Sequence, residues 1–192
     1  MLENIKNYHV VLASKSPRRQ ELLKLLGVDF EVKVLPYVKE NYPKALPGVE
    51  VPQYISREKA AAYELDDNEL LLTADTVVHL DGRIFGKPHS ASEASEMLHA
   101  LSGHTHEVIT GMTITTKQVQ NTFAAVTRVT FAKLTDEEIS YYIEHYKPFD
   151  KAGAYGIQEW IGCIGVESID GSFYNVMGLP VQRLYTELKK VK

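Results

Sequence analysis

Residues 12–27, "LASKSPRRQELLKLLG", place Arg18 and Arg19 directly behind a Ser-Pro pair that marks the start of a helix. Ser16 suits the N-cap, Pro17 the first helical position, and Gly27 the place just past the apolar run Leu22, Leu23, Leu25 and Leu26. Two cations in the first turn oppose the helix dipole by ~0.3–1 kcal/mol each. An anion held there by free N–H groups and both guanidinium forks reverses the balance, because charge-assisted hydrogen bonds contribute ~1.5–3 kcal/mol each. The strand-turn-helix segment "ASKSPRR", which includes Ser14, therefore reads as a phosphate site. It carries neither the P-loop pattern nor a G-x-G-x-x-G turn.

Asp75 interrupts the apolar stretch "LLLTADTVVHLDG". A carboxylate on a buried strand needs a partner, so an ion-pair member and a site carboxylate are equal readings. Lys87, in a Gly-Lys-Pro turn, and Lys59, in "REKAAAY", read on their own as solvated surface residues. His104 and His106 in "SGHTHEV" lack a third ligand of clear spacing for a metal. In "FDKAGAYGIQEWIG", small residues and glycines permit close approach by a ligand or by another stretch of backbone. Cys163, the single cysteine, falls in "WIGCIGVESI" and reads as a packed thiol on a buried strand.

These residues need elements to carry them. Strand-like runs at 10–13, 30–35, 70–80, 107–116, 122–134 and 163–169 alternate with helix-like runs at 17–26, 52–65, 92–101, 136–146 and 180–189. That alternation predicts an α/β or mixed domain. Asp81-Gly82 signals a hairpin, so the sheet is mixed, and a second hairpin turns near residues 117–121. The longest loop, 36–48, holds three prolines. No linker or repeat divides residues 1–192, which read as one domain. The net charge of −4 excludes a surface devoted to nucleic-acid backbone. No run approaches the ~20 apolar residues of a membrane span, and no leader is legible, so a reducing cytoplasm is expected.

The segments "LASKSPRRQELLKLLGVDFEV", "TADTVV", "GKP", "LSGHTHEVITG", "DKAGAYGIQ" and "YNVMGLP" follow the order and spacing of the Maf family of nucleoside triphosphate pyrophosphatases, and the resemblance runs from about residue 12 to residue 184. It implies an α/β fold with an elongated mixed sheet and a substrate cleft, distantly similar to the inosine triphosphate pyrophosphatases. It also implies hydrolysis between the α- and β-phosphates, dependent on a divalent cation, Mg²⁺ or Mn²⁺. Carried over by motif, Asp75 is the proton acceptor and Arg19, Lys59 and Lys87 are the phosphate-side cations. Glu40, in "YVKENYP", matches the second acid of a pair whose first position is here Lys39. Asp75 and Glu40 are then the catalytic carboxylates and the metal ligands. "GIQEW" puts Glu159 where the family more usually has glycine.

The combination S-P-R-R, A-D-T and G-I-Q resembles the subgroup acting on dTTP and UTP, with Arg18, Thr76 and Gln158 setting specificity. An amide at Gln158 offers an acceptor and a donor to the N3–H and O4 of uracil or thymine, a pattern that cytosine reverses. The competing class is a nucleotide-binding regulator of cell division and septum formation without turnover. Two carboxylates facing a polyphosphate favour hydrolysis over that alternative. The partners expected are a nucleoside triphosphate and a second copy of the chain, with neither nucleic acid nor membrane.

Overall fold

The computed structural model describes residues 2–36, 41–43 and 45–192. Glu40, the expected companion carboxylate, lies outside the described residues, as do Tyr37, Val38, Lys39 and Lys44 of the long loop.

A short 3₁₀ turn, Glu3–Ile5, leads into β1 (His9–Leu12), α1 (Pro17–Leu25), β2 (Glu31–Val32), α2 (Val51–Ala61), β3 (Glu69–Leu80) and β4 (Arg83–Phe85). There follow α3 (Ala91–Leu101), β5 (Thr105–Thr115), β6 (Gln120–Phe131), α4 (Asp136–Tyr146), α5 (Trp160–Gly165), β7 (Val166–Asp170), α6 (Phe173–Met177) and α7 (Val181–Leu188). The sheet runs β2-β1-β3-β5-β6-β7, with β4 paired to β3. β1 is parallel to both β2 and β3, whereas β4 is antiparallel to β3 and β7 to β6. The expected mixed α/β sheet is thus observed. The chain divides into two compact units, Met1–Asp75 with Thr110–Ala125 and Gly178–Lys192, and Thr76–Ile109 with Val126–Met177.

In the first unit, Val10, Val11 and Leu12 of β1 are buried beside Leu70, Leu71 and Leu72 of β3, which explains the uninterrupted apolar runs of both strands. α2 is seated by Gly111 of β5. A Cβ there would fall 2.3 Å from the carbonyl carbon of Pro52 and the nitrogen of Gln53, so only glycine admits the first turn of α2. Hydroxyls continue the attachment: Thr73 donates to Ser56 O at 2.7 Å, and Ser56, Thr113 and Thr122 form a chain with 2.9 Å steps. These contacts fix the helix that carries Lys59.

In the second unit the core gathers Phe85, Leu98, Leu101, Phe131, Tyr142 and Tyr155. α4 begins with a capping box in which Thr135 and Glu138 satisfy each other's backbone N–H. The β3–β4 hairpin turns on Asp81 and Gly82, both with positive φ, as the Asp-Gly pair predicts. The second hairpin closes where Thr116 N–H donates to Val119 O at 2.8 Å, in the first unit.

Three expectations are corrected. Residues 163–169 are not one buried strand: α5 occupies 160–165, β7 begins at Val166, and Cys163 is exposed. Ile161 and Gly165 are the buried positions of α5, a spacing of four that turns Cys163 outward on a helix. The strand at 30–35 shrinks to Glu31–Val32, and α2 ends at Ala61 instead of residue 65.

Candidate active site

The turn after β1 has the predicted form. Ser16 caps α1 by accepting from Arg19 N–H, and Pro17 opens the helix. The cation conflict is met partly by the protein itself. Arg19 Nε donates to Gly178 O at 2.9 Å, and one terminal nitrogen donates to Ala74 O at 2.9 Å and to Ser14 Oγ at 3.5 Å. Gly178 has φ +111°, a conformation that L side chains rarely adopt. Ser14 is buried and also accepts from Ser16 N–H at 3.3 Å. Arg18 is half-buried on the same turn.

Lys59 reaches the same carbonyl from α2. Its Nζ lies 2.9 Å from Asp75 Oδ1 and 3.4 Å from Ala74 O, so that oxygen is approached by both cations. The ion-pair reading of Asp75 is met by Lys59, and the pair sits beside the carbonyl that Arg19 also reaches. Ser14, Arg19, Lys59 and Asp75 are brought together in the first unit. In such a cluster the ammonium, the guanidinium and the hydroxyl can bind polyphosphate oxygens, and the carboxylate paired with the ammonium can accept a proton from water.

The remaining predicted residues belong to the second unit. Lys87 is exposed on the turn between β4 and α3, and Thr76 is half-buried on β3. Gln158 is exposed at a turn closed by Glu159 N–H donating to Gly156 O at 3.0 Å. The surrounding glycines meet protein. A Cβ on Gly153 would fall 2.8 Å from Val78 Cγ2, and one on Gly156 would fall 2.9 Å from Lys151 Cε. Close approach by another part of the chain explains those small residues.

Sequence reasoning missed the carbonyls of Ala74 and Gly178, and the side chains of Tyr142, Lys151 and Glu159 that surround the Gln158 turn. Main-chain acceptors leave no trace in residue types. A lysine inside an apolar, glycine-rich stretch, with an acid eight residues on, is a signal that does point to a buried pair.

Among the described residues, no group of three or more His, Cys, Asp or Glu side chains is placed to hold a metal. His106 is buried, with Nε2 2.8 Å from Tyr155 Oη, and His104 Nδ1 donates to Ser102 O. Magnesium usually keeps several waters and takes one or two carboxylates plus substrate phosphates. Asp75, with Oδ1 on Lys59, fits that sparse donor set.

These features define a class, a mixed α/β protein with a cation-flanked carboxylate beside a strand-to-helix turn. The model of the Maf-like protein family matches residues 9–191. The chain belongs to the Maf family. It is 61% identical over 193 residues to a protein of Phocaeicola vulgatus named dTTP/UTP pyrophosphatase, covering 100% of each chain. A protein of the same name from Flavobacterium psychrophilum is 48% identical, over 97% of this chain and 96% of its own. Among solved structures, a HAM1 protein from Coxiella burnetii is matched with a TM-score of 0.48 and 19% identity, over 95% of this chain and 99% of that one. No helix among the described residues is long and apolar enough to cross a membrane.

Proposed function

We propose that this protein is a nucleotide pyrophosphatase that hydrolyses dTTP and UTP to the nucleoside monophosphate and pyrophosphate. The observation that carries the reading is Asp75, paired with Lys59 next to the carbonyl that Arg19 also grips. A triphosphate carries about four negative charges, and positioning with charge neutralisation supplies most of phosphoryl-transfer catalysis. Arg19, Lys59 and the Ser14 hydroxyl are the phosphate contacts on this reading. Lys87 keeps the phosphate-side role that the family pattern gives it.

Asp75 takes a proton from water as the water oxygen bonds to the α-phosphorus, and the α–β bridging oxygen leaves with pyrophosphate. The Lys59 ammonium holds Oδ1 and so keeps the carboxylate turned for that transfer. A bound Mg²⁺ or Mn²⁺, held by Asp75 and by Glu40, would offset phosphate charge. Arg18, Thr76 and Gln158 select the base, with the Gln158 amide pairing to N3–H and O4 of a uracil or thymine. A site built on such bonds discriminates by up to about 10⁴-fold or more.

The test is a panel of nucleoside triphosphates with Mg²⁺ or Mn²⁺, quantifying pyrophosphate and monophosphate. Highest kcat/KM on dTTP and UTP is expected. Best turnover of CTP or a purine triphosphate overturns the base assignment, and binding without any pyrophosphate release favours the regulatory alternative. A homodimer also follows from the family pattern; light scattering that stays at the monomer mass of 21.6 kDa across a concentration series rejects it.

A further inference from the structure

The turn that presents Gln158 is held by side chains as well as by its own backbone. Tyr142 Oη, on α4, accepts from Gly156 N–H at 3.0 Å and donates to Oε2 of Glu159. The other carboxylate oxygen of Glu159 lies 3.0 Å from Lys151 Nζ, which also meets Asp150 Oδ1 at 2.8 Å. Burial, and then the bond to Glu159, push the Tyr142 phenol well above its usual range, so it remains a donor throughout the neutral region. The Lys151 side chain is only 8% exposed, and a charge so placed must keep its partners. Gly156 is enclosed between Lys151 and Glu159, with no room for a Cβ. The residues on both sides of the 157–158 pair are thereby gripped, while Gln158 itself is exposed.

Glu159 supplies the carboxylate that meets both Lys151 and Tyr142 in this grip. A glutamine amide approached from its opposite edge offers its donor and acceptor in reverse order, which suits cytosine as well as the forward order suits uracil. Discrimination therefore depends on how firmly the backbone around Gln158 is set. We infer that Glu159 is a positioning residue for base selection: together with Lys151 and Tyr142 it locks the 156–159 turn and so fixes the edge that Gln158 turns toward the pyrimidine. The inference rests on the reading of Gln158 as the base contact.

Two variants test it. Glu159→Gln removes the charge facing Lys151 at almost unchanged shape, and Tyr142→Phe removes only the bridging hydroxyl. Each is to be assayed with dTTP and CTP, alone and combined with Gln158→Leu, alongside amide hydrogen exchange of residues 156–159. The expected result is faster exchange in that segment and a dTTP-to-CTP ratio of kcat/KM lowered about tenfold, through KM for dTTP more than through kcat. In the Gln158→Leu background the ratio should fall no further, since both changes act through one side chain. An unchanged ratio in either folded variant, or a full additional loss in the Gln158→Leu background, overturns the inference. If the unmodified enzyme does not prefer dTTP to CTP, the base assignment fails instead. In that case unchanged exchange at 156–159 in the two variants overturns the clamp as well.

Discussion

Asp75 Oδ1 and Lys59 Nζ stand 2.9 Å apart, each on a side chain 13% exposed. Asparagine keeps an oxygen for Lys59 but cannot take a proton from water. Asp75→Asn should therefore fold, bind dTTP as tightly as the unmodified protein or more tightly, and lose about 10²–10⁴-fold in kcat. Near-normal turnover in that variant, measured as pyrophosphate release, would show that Asp75 only anchors Lys59.

Arg19 and Lys87 are expected to affect catalysis alike and stability differently. Arg19→Ala frees two carbonyls from their guanidinium partner, at a cost of ~1–3 kcal/mol of stability. Lys87 is exposed, so Lys87→Ala should leave stability within about 0.5 kcal/mol. Both should lower kcat/KM, by ~2–4 kcal/mol of transition-state stabilisation if they meet developing charge. Denaturant melts and low-salt kinetics on the two variants check the pattern; full kcat/KM in both rejects the phosphate reading.

Gly111→Ala carries a structural prediction. The added methyl would collide with backbone of Pro52 and Gln53, which cannot rotate away as a side chain would. α2 must then shift on β5 and take Lys59 with it. A stability loss of ~1–3 kcal/mol or more and a fall in dTTP turnover are expected together. A variant that is unfolding-prone yet fully active per folded molecule would uncouple the helix seat from the site.

Burial lowers the His106 imidazole from its ordinary 6.5 to about 4. Between those values the unfolded chain binds a proton that the folded chain does not, so stability is complete above about pH 6.5 and declines as pH falls toward 4. The decline from this group is on the order of 3 kcal/mol. Glu187, held low first by Lys190 and then by Asn121, adds a further loss below its ordinary 4.5. In His106→Gln the melting temperature should fall less between pH 7 and pH 4. An identical acid limb in that variant would assign it to other groups.

The parts legible from sequence were those written in residue types. Ser16, Pro17 and Gly27 marked α1, the Asp-Gly pair marked its hairpin, and Asp75 stood out as a charge on an apolar strand. Cys163 was misread because a short apolar run fits a strand or a buried helix turn equally, and the one-sided burial of Ile161 and Gly165 shows only in three dimensions. The carbonyls gripped by Arg19 lie 55 and 159 positions away in the chain, and main-chain acceptors have no residue signature.

The Ala74 carbonyl, approached by both Arg19 and Lys59, has a consequence for the cost of association. Immobilising a lysine or arginine removes ~1.5–2 kcal/mol of rotamer entropy. Here much of that ordering is completed as the chain folds, because both cations are already tethered to one backbone oxygen. On the proposed phosphate role of these residues, an incoming polyphosphate would find them at rest, and the entropy surrendered would be chiefly its own.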